Sequence, residues 1–97
     1  MGKMSEPEVT TALAGLPNWS ETGGSIQRTL AFKDFAEAMA FVNGIAAEAE
    51  RVNHHPDILI RYNKVTLTLS THDAGGLTSK DFDLARTVDA IAPAIGA

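Results

Sequence analysis

The chain reads as an α+β two-layer sandwich: a four-stranded antiparallel sheet with its helices on one face, in the order α-β-β-α-β-β-α. Three observations predict this. Four segments rich in alternating apolar and polar residues fall into two pairs, each pair broken by a short turn signal. Helical periodicity, introduced by capping residues, fills the stretches before, between and after those pairs. With 97 residues there is room for one hydrophobic core and little for a second, so positions 1–97 are read as a single domain.

Each element has a local cause. Ser5-Glu6-Pro7-Glu8 has the Ser-x-x-Glu spacing of a capping box, with proline tolerated in the first turn. Val9, Leu13 and Leu16 follow at helical spacing, predicting a helix over roughly 6–15 that Pro17-Asn18 ends. Trp19 to Thr22 and Ser25 to Phe32 read as strands joined at Gly23-Gly24, a hairpin turn. In the second of them Ile26, Leu30 and Phe32 share a face with Arg28, opposite Gln27 and Thr29.

Asp34 is a good N-cap with Glu37 three residues on, and it opens the strongest helix. Its expected apolar stripe is Phe35, Ala38, Met39, Val42, Ile45, Ala46, Ala49 and Val52. Pro56 disfavours helical geometry at the residue before it, so this helix should end near Asn53 and leave His54-His55 on a loop. Ile58-Ile60-Tyr62 and Val65-Leu67-Leu69 alternate with polar neighbours around a break at Asn63-Lys64, a second hairpin. Gly75-Gly76 marks a loop. Thr78 caps a last helix whose apolar face is Phe82, Ala85, Val88 and Ile91, flanked by Leu84 and Ile95. A sheet covered on one side keeps free edges, which predicts pairing with a second copy.

Composition narrows the function. Apolar and charged fractions of 44% and 21% are those of an ordinary globular chain. A formal charge of −4 argues against direct nucleic-acid binding, which needs a basic face. No apolar run approaches the ~18 residues that span a bilayer. Met1-Gly2-Lys3-Met4-Ser5 lacks the apolar stretch of a secretory signal, so a cytoplasmic location is expected. The absence of cysteine removes disulfides, thiol nucleophiles and thiolate metal sites. What remains is histidine. There are three, two of them adjacent at His54-His55 and the third at His72, and histidine exchanges protons near neutrality.

The run Glu50-x3-His54-His55-Pro56-x5-Tyr62-x9-His72-x8-Asp81 resembles the signature of the pterin-4a-carbinolamine dehydratases. So do Leu16-Pro17-x-Trp19, Arg28 with Phe32-x2-Phe35, Tyr62-Asn63-Lys64-Val65, and Thr71-His72-x2-Gly75-Gly76-Leu77-Thr78, so the likeness extends from Ser5 to about Ile91. It implies a hydro-lyase that converts a 4a-hydroxytetrahydropterin to quinonoid dihydropterin and water, in tetrahydrobiopterin recycling, with no cofactor and no metal. It implies a homodimer or homotetramer; in animals one relative also serves as a dimerisation cofactor of a transcription factor. By resemblance, His54 and His72 are the acid–base pair and His55 orients the pterin with a share in proton transfer. Substrate contacts are expected from Asn53, His54, His55, Ser70, Thr71, His72 and Asp73. Glu50 and Asp81 are expected to orient a histidine or hydrogen-bond the ring. Position 53 is an acid in some relatives and Asn here, and Lys80 stands where some carry Arg.

Simpler readings stand beside these. His54-His55 can be helix-terminal histidines favoured near carbonyl ends. Asp81 lies three residues after Thr78 and can complete a helix cap, a role compatible with a functional one. Trp19 reads as a core or pocket-wall aromatic, and Tyr62 as a packed ring with a bonded hydroxyl. A metal site is disfavoured because adjacent histidines diverge and zinc motifs favour other spacings. A Ser70-His-Asp81 hydrolase lacks the Gly-x-Ser-x-Gly elbow. A non-catalytic dimerisation module of the same fold is the alternative from a different class.

Overall fold

A computed structural model describes residues 2–95, with side chains as far as Pro93. The element order is α1 (Glu6–Ala14), β1 (Ser20–Thr22), β2 (Ser25–Ala31), α2 (Phe35–Val52), β3 (Asp57–Arg61), β4 (Lys64–Leu69), a 3-10 turn at His72–Ala74 and α3 (Ser79–Ile95). The four strands form one antiparallel sheet in the order β1-β2-β4-β3. Ile26 and Leu30 of β2 and Val65, Leu67 and Leu69 of β4 point to one face, where they share a core with Val9 of α1, Phe41 and Ile45 of α2, and Phe82, Ala85 and Val88 of α3. The other face is polar, with a Thr29–Thr66 hydroxyl pair at 2.8 Å and a Gln27 amide donating to Thr68 at 3.1 Å. The predicted two-layer sandwich is therefore the observed fold.

Local signals act as the sequence implies. The Ser5 hydroxyl accepts from Glu8 N–H while the Glu8 carboxylate accepts from Ser5 N–H, a reciprocal cap on α1. Accepting these bonds lowers the Glu8 pKa below the usual carboxylate value, the Ser5 backbone N–H being the main cause. Asp34 accepts from Glu37 N–H at 2.9 Å, but Glu37 reaches back to Lys33 N–H rather than to Asp34. Gly23 and Gly24 both have positive φ, 53° and 83°, as the two-residue β1–β2 turn demands.

Three expectations need correction. The buried stripe of α2 is Ala38, Phe41, Ile45 and Ala49, whereas Phe35 and Val52 are 50% and 42% exposed and Ala46 is exposed. The expected stripe included these exposed residues and omitted Phe41, which is fully buried; packing against β4 and α3 sets the buried face. The β3–β4 turn is Tyr62-Asn63, one residue earlier than expected, because Arg61 pairs with Lys64. Tyr62 takes φ 51° there and its ring is 67% exposed, not packed. Asn63 ties that turn to the end of the neighbouring β2, its side-chain amide donating to Phe32 O and its backbone carbonyl accepting from Phe32 N–H, both at 2.8 Å. Trp19 lies in the core, 5% exposed, just ahead of β1; its indole N–H donates to Asp89 of α3, which also holds Arg28. Ile91 is half-buried against the core, and Ile95, expected beside it, lies outside the residues whose side chains are described.

Candidate active site

The end of α2 sets the position of the tandem histidines. Asn53 adopts the left-handed conformation, φ 53° and ψ 45°, which asparagine tolerates better than most residues. Its N–H bonds to Ala49 O and Glu50 O, and His54 N–H closes back on Ala49 O at 3.1 Å. This left-handed stop turns the chain out of the helix before Pro56 and starts β3 at Asp57. His54 consequently points inward, with 11% of its side chain exposed, while His55 is 54% exposed.

The end of β4 sets the position of the third. Ser70 donates to Gly24 O at 3.1 Å, tying the strand end to the first hairpin. Thr71 and Gly76 exchange backbone hydrogen bonds, so residues 71–76 form a closed loop with His72 opening its 3-10 turn. Gly75 has φ 74°, the left-handed geometry that ends this turn. The N-terminal segment lies against the loop's return limb: Met4 N–H bonds Leu77 O at 2.8 Å, and the stem of Lys3 runs over Gly76.

Asp81 joins the two halves. It is fully buried, and both of its oxygens accept hydrogen bonds. Oδ2 accepts from the Thr71 hydroxyl at 2.8 Å and from Thr78 N–H at 2.9 Å. Because Thr71 gives its only hydroxyl proton to Asp81, the 2.8 Å contact between Thr78 and Thr71 has Thr78 as donor. Thr78 Oγ1 in turn accepts from Lys80 N–H. Every bond runs toward the carboxylate, which leaves Oδ1 to accept from His54 Nε2–H at 2.6 Å and makes Nδ1 the unprotonated nitrogen of the neutral ring. The cap role and the histidine-holding geometry expected as alternatives for Asp81 thus coexist in one side chain. Glu50 bonds His55 Nε2 at 2.5 Å in an exposed pair. Among the described residues His72 has no such carboxylate partner.

Asn53, His54, His55, Ser70, Thr71, His72 and Asp73 line one open cleft of about 280 Å³. That is the volume of about nine waters at ~30 Å³ each. These are all seven residues expected to contact substrate; Asp81 lies beneath the cleft and Glu50 outside its lining. Lys80 also lines it, and sequence reasoning noted that residue only as a departure from relatives. Its position next to Asp81, in the first turn of a helix, was the available signal. Among the described residues no three His, Asp or Glu side chains gather into a group able to hold a metal ion.

Comparison with known proteins places this geometry in a family. Residues 2–91 match the family model described as pterin 4 alpha carbinolamine dehydratase. A protein of Picosynechococcus sp. that carries that dehydratase name provisionally is 53% identical over 87 residues, 90% of this chain and 95% of the relative. One of Nocardia farcinica, similarly named, is 51% identical over 89 residues, 92% and 94% of the two chains. A Brucella melitensis crystal structure described as a transcriptional coactivator/pterin dehydratase superposes with a TM-score of 0.91 at 38% identity, covering 94% of this chain and 99% of that one. A pterin dehydratase-like protein identified as a RuBisCO assembly factor in the alpha-carboxysome is more distant, with a TM-score of 0.63 at 27% identity over 76% of this chain and 86% of the other. With nearly its whole length matched and its histidine-lined cleft built on the family's fold, the chain belongs to the pterin 4 alpha carbinolamine dehydratase family.

Proposed function

We propose that this protein dehydrates a 4a-hydroxytetrahydropterin to the quinonoid dihydropterin and water, with His54 and His72 exchanging the protons. The observation that carries the reading is the convergence of His54, His55 and His72 on one cleft, with His54 held by a fully buried carboxylate. The chemistry needs two proton transfers and no change of oxidation state. As the C4a–O bond breaks, its electron pair leaves with the oxygen, which takes a proton from an acid and departs as water. The N5–H proton passes to a base, and the N–H electron pair becomes the N5=C4a double bond. Each positioned transfer is worth typically ~10²–10⁴-fold.

Asp81 fixes the tautomer and direction of the His54 ring, so Nδ1 is the nitrogen that exchanges a proton. His55, held by Glu50 at the mouth, orients the pterin. Asn53 and the Ser70–Asp73 segment supply polar contacts to the ring. The test is direct. With 4a-hydroxytetrahydropterin generated in situ, the purified chain accelerates quinonoid product formation above buffer. His54→Ala and His72→Ala each lose at least about tenfold with unchanged circular dichroism; wild-type rates in both would refute these roles.

A homo-oligomer in the cytoplasm is part of the same proposal. β3 is an edge strand, with Leu59 56% exposed at its centre and Ile58 and Ile60 half-buried. Pairing it antiparallel with a second copy about Leu59 sets Asp57 opposite Arg61 of the copy at both ends, a charge-complementary register. Sedimentation should show a dimer or tetramer that Leu59→Lys dissociates; a monomeric wild type refutes it. A second reading, assembly without catalysis, draws on the likeness to the carboxysomal assembly factor. A folded chain that gives no acceleration favours it.

A further inference from the structure

A second cavity adjoins the candidate cleft on the far side of His54. It lies between the end of α2 and the first turns of α3, has a volume of about 160 Å³, and is lined by Arg51, Val52, Lys80, Leu84 and Thr87 as well as by His54. His54 and Lys80 line both hollows, so the two abut at these side chains.

The lining sets the chemistry of an occupant. Val52 and Leu84 give an apolar wall, suited to a short carbon stem. The charges around it are unequal. Arg51 is held by Glu48 at 2.9 Å, which raises its own pKa and lowers that of Glu48. Asp83, which also borders the cavity, is held by Arg86 at 2.8 Å. Lys80 has no ion-pair partner among the described residues. It is therefore the unpaired charge of this hollow, in a chain whose net charge is −4; Asp73, on the candidate cleft, likewise has no ion-pair partner among the described residues. At about 160 Å³ this hollow is the smaller of the two.

We infer that this cavity is the subsite for the ring substituent of the pterin, and that it selects a short side chain ending in an anionic group, read by Lys80. The inference rests on the dehydratase reading for the identity of the ring, but its test does not depend on turnover. Lys80 is a specificity-determining residue here and takes no part in the proton transfers.

The experiment compares two 7,8-dihydropterins, which lack the leaving hydroxyl: one with a methyl group at C6, the other with a short phosphate-terminated chain. Affinities are measured by calorimetry on the full chain. The phosphate-bearing ligand should bind about fivefold tighter to wild type, with the preference shrinking as salt rises. Lys80→Met, which keeps the length of the stem, should abolish the preference, and so should Thr87→Trp, which fills the cavity. Circular dichroism checks both folds. Equal affinities in wild type, or a preference that survives both substitutions, overturn the inference whatever the catalytic result. A preserved preference with no turnover of either 4a-hydroxy substrate instead sinks the dehydratase reading and supports the subsite. Failure of both ligands to bind overturns both.

Discussion

The two adjacent histidines form nearly the same bond in opposite surroundings. His54 meets Asp81 at 2.6 Å, with side-chain exposures of 11% and 0%; His55 meets Glu50 at 2.5 Å, with exposures of 54% and 77%. The first carboxylate accepts two further bonds, from the Thr71 hydroxyl and the Thr78 N–H, and Thr71 is itself held by Thr78, whereas the second is exposed. Length alone therefore says little about either pair. A bond in solvent is screened and competes with water, and exposed pairs contribute typically ~0–1 kcal/mol. A bond inside a saturated buried network cannot be replaced by water, and losing a partner there leaves a polar group stranded. The difference teaches that one histidine is held by the fold and its neighbour is merely accompanied.

The sharpest way to break this comparison is at the buried end. His54→Ala should lower the dehydration rate by on the order of 10²-fold, against less for His55→Ala, as read by product formation. Asp81→Asn puts an amide donor where the network supplies only donors. It should cost about 2 kcal/mol of stability, a fall of roughly 10 °C in Tm, and about tenfold in rate. Calorimetry and the same rate assay check it; wild-type Tm would show that the network is not saturated as described. Glu50→Gln should change Tm by less than about 2 °C and rate by less than about threefold. A double-mutant cycle sharpens the contrast, with coupling above about 1 kcal/mol for His54 with Asp81 and below about 0.5 for His55 with Glu50.

The smallest effect concerns another exposed carboxylate. Glu8 has its pKa lowered by the Ser5 N–H, so its contribution to stability is present above its ordinary value of 4.5 and is lost as the pH falls through its lower folded value. Glu8→Gln should be slightly less stable than wild type in urea at pH 7, with the difference shrinking as the pH is lowered below 4.5. A difference that does not shrink would assign the effect to something other than charge.

The element order, the caps at Ser5 and Asp34 and the end of α2 before Pro56 could all be read from the chain, and for a common reason. Periodicity, capping and proline sterics are local, acting within a few residues of where they are written. Seven of the eight residues that line the cleft were legible through the resemblance to a family, since spacing along a sequence says nothing of which loops meet. The phase of α2 was not legible, because its apolar residues cover more than one face and only contact with β4 and α3 selects Phe41 over Phe35.

The same division applies at the site. Histidines at 54, 55 and 72, an aspartate at 81 and a lysine at 80 are there in the one-dimensional record, with their chemical capacities. Which imidazole is buried, which carboxylate is held by Thr71 and Thr78, and which cation borders both hollows depend on three segments meeting in space. Those properties come from excluding water and matching donors to acceptors between elements distant in sequence, and no single segment carries that information.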